Sequence, residues 1–184
     1  MHRLKLALAG AVLAGAPALA QDLPNLRDAR DLVFSERGAV EWEIFPHESL
    51  SPTDIATLDQ INQIQPQLYY AALAIHPASG LASERTSLAA NYHDEQNASA
   101  AALAACGEDC VVVMVIRPEG WEPGRALQLS AHATAALRGE YRALPRRARA
   151  LAISDTTGEW GIGASPQEAI AACAAPDCRA VVEG

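Results

Sequence analysis

Lysine is almost missing from this chain, since Lys5 is the only one in 184 residues. A Schiff base to pyridoxal phosphate or to a carbonyl substrate needs a lysine amine. Once a leader containing Lys5 is removed, that chemistry is excluded. Long apolar runs are missing after residue 20. Val111–Ile116 stops at Arg117 and Pro118, far short of the roughly 20 apolar residues that a membrane-crossing helix needs. Positive charge is scarce, with 14 basic against 22 acidic residues and a net charge of −8. An acidic surface repels phosphate backbones, so no nucleic-acid partner is expected. No GxSxG motif marks a nucleophile elbow, and no HExxH or HxxxH spacing marks a helical metal pair. No metal and no cofactor are expected.

What the chain does carry begins with residues 1–20, MHRLKLALAGAVLAGAPALA. Basic residues, a short apolar run and Ala18-Leu19-Ala20 make a secretory leader with a small-residue cleavage site. Cleavage there would remove Arg3 and Lys5, taking the net charge from −8 to −10. A periplasmic or secreted location follows as an expectation. Four cysteines in an exported chain read as two disulfides, with three pairings available. Cys106 to Cys110 and Cys173 to Cys178 are the expected pairs. Each joins a helix end to the next strand through a turn holding Gly107 or Pro176. A zinc site built from the four thiols is the alternative.

One stretch is written twice, as Ala72 to Gly80 (ALAIHPASG) and as Ala150 to Gly158 (ALAISDTTG). Each copy precedes an alanine-rich helix, a close cysteine pair and a valine strand. The offset is 78 residues at the hairpin and 67 or 68 at the cysteines. Two units at such a period imply a duplicated module, not a solenoid.

Taken in order, 21–37 forms an N-terminal helical segment, 38–117 a first module, 118–124 a linker and 125–184 a second module. Val40, Trp42 and Ile44 alternate with glutamates as a half-buried strand does. Ser51-Pro52 starts a helix whose Ile55, Leu58, Ile61 and Ile64 form a stripe expected to pack on a sheet. Strands at 68–75 and 81–89 flank the first turn, Asp94 caps a helix to Cys106, and 110–116 reads as a central strand covered on both sides. The second half repeats this with a strand at 126–129, a helix at 130–142, a hairpin at 149–163, a helix opened by the Ser165-Pro166 capping box and a strand at 178–182. The element order predicts an α+β fold of two tandem ferredoxin-like βαββαβ modules, antiparallel sheets with helices on one face. Modules this small are marginal alone, so an interface between them is expected, with one continuous sheet as a form it could take.

The richest cluster of chemistry-bearing side chains is Asn91-Tyr92-His93-Asp94-Glu95. His93 beside Asp94 or Glu95 could act as a base or ligand, with Tyr92 and His93 binding a small molecule. The same residues also suit a strand-to-helix loop in which Asp94 caps the helix. His47, His76 and His132 are scattered. Trp121 in the linker serves either as a partner contact or as a plug at the module junction. Gly158 to Gly163 lies in a hairpin strand and does not open a helix, so its glycines read as close packing rather than as a phosphate loop. Arg138, Arg142, Arg146, Arg147 and Arg149 are the only basic concentration. They form either a site for anionic envelope components or a solvated linker.

The repeated AxAI-xxx-(S/T)G hairpin with its Cys pair resembles a small secreted bacterial domain-of-unknown-function family, over about 70–117 and 149–183. The first copy departs from it by the NYHDE insertion. ANYHDE, IRPEGW and LQLSAHAT also resemble short exported bacterial proteins labelled aminolevulinic acid synthase. That resemblance implies a pyridoxal phosphate enzyme, which needs a catalytic lysine and a far larger fold. The residues do not support it. The reading that remains is an exported binding or protein-interaction module with an unknown protein or small-molecule partner. A small enzyme centred on the NYHDE loop, and an envelope structural component or inhibitor, are the alternatives.

Overall fold

The computed structural model describes residues 22–184, so the leader expected at 1–20 lies outside the described residues. The fold is mixed α+β, with two antiparallel sheets. The first half comprises β1 (Val40–Ile44), α2 (Pro52–Ile64), β2 (Ala71–Ile75), β3 (Ser87–Ala89), α3 (Glu95–Cys106) and β4 (Val111–Pro118), preceded by α1 (Leu26–Leu32). The second half comprises α4 (Ala131–Arg138), α5 (Glu140–Ala143), β5 (Ala150–Ile153), β6 (Trp160–Gly163), α6 (Pro166–Cys173) and β7 (Arg179–Glu183).

The first sheet runs β1-β4-β2-β3. Its central strands are therefore the fourth and second, where the ferredoxin-like order has the first and third. The second sheet has three strands, β6-β5-β7, and the two sheets are separate. Residues 126–129, expected as a strand, join no ladder. Leu127 and Leu129 are nevertheless buried in the second core. The edge of β7 is met instead by the N-terminal segment, where Glu183 N–H donates to the Pro24 carbonyl at 3.1 Å and Leu26 N–H to the Gly184 carbonyl at 3.2 Å. The segment expected at 81–86 as strand is turn, closed by the Thr86 hydroxyl donating to the Leu81 carbonyl. The helix expected over 130–142 breaks into α4 and α5 at Gly139.

Helices cover both faces of each sheet, not one. In β2, Ala72 and Ala74 face α3 with Ala98, Ala102 and Val115, whereas Leu73 and Ile75 face Leu58 of α2 with Met114 and Ile116. Small residues on one face let a helix approach closely, and large ones fill the space on the other. The second sheet repeats the division. Ala150 and Ala152 pack under Ala169 and Cys173 of α6, while Leu151 and Ile153 join Leu137 of α4 and Tyr141 of α5. Gly161 is obligatory in that close layer, since a Cβ there would lie 2.2 Å from the Cys173 backbone nitrogen. Both ladders slip at the same place in the written pattern, between Leu73 and Ala74 and between Leu151 and Ala152.

Disulfides join Cys106 to Cys110 and Cys173 to Cys178, with Cα separations of 6.0 and 6.2 Å. Each ties the end of an alanine-rich helix to the following strand. No described helix is long and apolar enough to cross a membrane.

Candidate functional site

Residues 91–95 sit where the two halves meet, and the side chains of Asn91, His93, Asp94 and Glu95 each have a partner there. An α-helix leaves its first N–H groups without intrahelical acceptors. At α4 three of these donors find acceptors in the first half of the chain. Ser130 N–H donates to His93 Nδ1 at 3.0 Å, Ala131 N–H to the Tyr69 carbonyl at 3.3 Å, and His132 N–H to Asn91 Oδ1 at 3.1 Å. Ser130 Oγ accepts from Ala133 N–H. Because Nδ1 of His93 accepts, its proton is on Nε2, which donates to the Glu159 carbonyl at 3.1 Å. The ring is 1% exposed. Burial holds the His93 pKa below its ordinary value, outweighing the Glu159 carbonyl and the carboxylates of Asp155 and Asp94 that favour the proton.

Asp94 caps α3, accepting from Asn97 N–H at 2.7 Å. Tyr92 pairs its backbone with Tyr70. Glu95 is ion-paired with Arg117, which also reaches Glu43 at 2.8 Å. The same guanidinium lies 4.6 Å over the Trp121 ring, and Trp121 Nε1–H donates to Gln128 Oε1 at 3.1 Å. Trp121 is thus half-buried, and with Asp94 and Glu95 it borders an open cleft of ≈490 Å³. Sequence separation hid this meeting, which the crossing of β4 and the linker creates. His47 and His76 lie apart, bonded to Ser49 and Ser79. Among the described residues, no three His, Cys, Asp or Glu side chains converge as a metal site.

A different surface has groups left without partners. The stripe Ile55, Leu58, Ile61, Ile64 does not pack as a stripe. Each step of three residues falls about 60° short of a full turn, so three such steps wind about halfway round the helix. Only Leu58 is buried; Ile61 is 50% and Ile64 74% exposed. Ile61 and Leu58 form one wall of a groove of ≈430 Å³ whose other wall is Leu81, Thr86 and Leu88, with Leu73 and Met114 behind. Leu88 belongs to β3, the outermost strand of its sheet, and is 43% exposed. Asn62 also lines the groove. Its amide nitrogen donates to the Leu58 carbonyl and to Met114 Sδ, and its buried Oδ1 has no partner. Asp54 is the one ionisable group in the lining, its carboxyl held below the usual range by the Ser51 hydroxyl and N–H.

No protein-family model, no curated protein and no solved structure matches this chain.

Proposed function

We propose that this chain is an exported interaction module that holds an extended segment of another exported protein, aliphatic in alternate positions and basic between them, in the groove between α2 and β3. The carrying observation is the exposed apolar groove beside the free edge of a sheet. An edge strand offers unpaired N–H and C=O groups to an added strand, and the groove offers pockets for its alternate side chains. The net charge of −8 and Asp54 at the groove favour a basic segment. Both disulfides suit an oxidising compartment, and the leader expected at 1–20 would take the chain there. The matching slips in the two ladders support reading the halves as duplicated units.

The test is fluorescence polarisation with a labelled peptide alternating isoleucine and arginine, against one alternating isoleucine and glutamate. The basic peptide should bind, the acidic one should not, and Ile61→Glu or Leu88→Glu should weaken binding about tenfold or more, the loss of about 1.4 kcal/mol or more. Both side chains are exposed, so Tm should stay within a few degrees. Equal binding by the variants would remove the groove from the reading. A concentration-dependent dimer that Leu88→Glu abolishes would assign the groove to a second copy of the chain instead.

A further inference from the structure

The fold divides the arginine concentration of residues 138–149. Arg138, Arg146 and Arg149 line a cavity of ≈690 Å³, where Arg27 and Arg30 join them from α1; Arg142 and Arg147 do not line it. Five guanidinium groups thus gather in an acidic chain, with Asp31 as the one carboxylate side chain in the lining. Among the described residues no ion pair engages Arg27, Arg30, Arg146 or Arg149.

Two of these side chains are held in place by the protein yet incompletely satisfied. Arg138 pairs with Glu36 at 2.8 Å and donates to the Phe34 carbonyl, while its buried Nε has no partner. Arg149 is only 7% exposed, rests 5.0 Å over the Tyr141 ring, and also has an unpartnered Nε. Burying the Arg149 guanidinium without an anion is costly, because the charge loses water and gains no counter-charge. Fixing it against an aromatic face also removes much of the rotamer entropy that ligand binding would otherwise cost.

We propose that this cavity binds a small phosphate-bearing anion. Guanidinium forks match the spacing of phosphate oxygens. A phosphomonoester offers three terminal oxygens and nearly two negative charges, enough to engage guanidinium groups approaching from both α1 and the α5–β5 connection. The volume falls in the range of small-molecule sites, roughly 300–1,000 Å³, which leaves room for an organic group on the phosphate. That phosphate belongs either to a soluble molecule or to a lipid headgroup.

Isothermal titration of the oxidised chain with inorganic pyrophosphate tests the site. A saturable one-to-one heat that weakens as salt is raised is expected. Arg30→Gln and Arg149→Gln should each weaken binding about tenfold or more, and Arg147→Gln, from the same stretch but outside the cavity, should leave it unchanged. Arg30 is exposed, so its variant decides the matter if Arg149→Gln fails to fold. Phosphatidylcholine vesicles with and without phosphatidic acid separate the sources. Recruitment that pyrophosphate competes away assigns a headgroup; pyrophosphate binding without recruitment assigns a soluble ligand. Neither pyrophosphate heat nor vesicle binding, or equal damage from Arg147→Gln and Arg30→Gln, would overturn the proposal. Ile61→Glu should not alter pyrophosphate binding, which keeps this site separate from the groove.

Discussion

Gly80 and Gly158 occupy the same place in the two written hairpins and both have positive φ, +74°. Their surroundings differ. A Cβ on Gly80 would meet nothing within 4 Å, whereas one on Gly158 would lie 2.9 Å from the Asn91 carbonyl oxygen. Gly80→Ala should therefore cost only the left-handed backbone penalty, about 1–2 kcal/mol. Gly158→Ala should cost clearly more, since the second hairpin must also draw back from residues 91–92. Urea denaturation of the two variants gives the comparison. His93 makes a pH-dependent contribution at the same junction. The unfolded chain binds a proton at the ordinary histidine pKa of 6.5, and the folded chain resists it. Unfolded protein therefore carries more protons just below pH 6.5, and stability falls as pH drops, by at most about 1.4 kcal/mol per pH unit until the lowered folded pKa is reached. In His93→Gln, whose amide can both accept from Ser130 and donate to Glu159, that slope should vanish from chemical denaturation measured between pH 7 and 5. An unchanged slope would assign it to another group.

At the scale of elements, each alanine-rich helix is fastened twice, by packing on alanines of the sheet and by a disulfide at its C-terminal end. Loops this short give about 2 kcal/mol per bridge in the chain-entropy account. Replacing Cys106 and Cys110 together by alanine should lower unfolding free energy by about that amount, with far-UV circular dichroism unchanged. The caps of α2, α3 and α6 were legible as Ser51, Asp94 and Ser165 because capping is local: side chain and backbone donor are three residues apart. The packing of α2 was not legible. Its large aliphatic residues, Ile55, Leu58, Ile61 and Ile64, recur every three residues, a spacing that resembles a stripe over one turn and drifts off it over three. What covers each residue then depends on where β1 and β4 lie.

At the scale of the whole molecule, the chain closes on itself. Ala29 and Val33, from α1 and its C-cap, enter the core formed by α4, α5, β5 and β7, and Arg138 holds Glu36 and the Phe34 carbonyl. A chain beginning at residue 38 should therefore lose its single cooperative thermal transition, and 125–184 alone should not fold, lacking α1 and the acceptors for the N-terminus of α4. Calorimetry on both fragments would show this. A cooperative transition for 125–184 like that of the full chain would mean that these contacts are dispensable.

The sequence by itself determined what depends on near neighbours and composition: the acidic balance, the near-absence of lysine, the helix caps, the hairpins at 72–89 and 150–163, and the two short cysteine pairings. Tertiary structure alone decided that helices lie on both sides of each sheet, that residues 126–129 pair with no strand, and that Asn91 and His93 serve another helix. It also brought Arg27 and Arg30 to Arg149, and left Ile61 and Leu88 facing each other across a groove. Strand order and helix docking follow from which apolar surfaces meet in three dimensions, and the period of a pattern specifies a face without naming its neighbour.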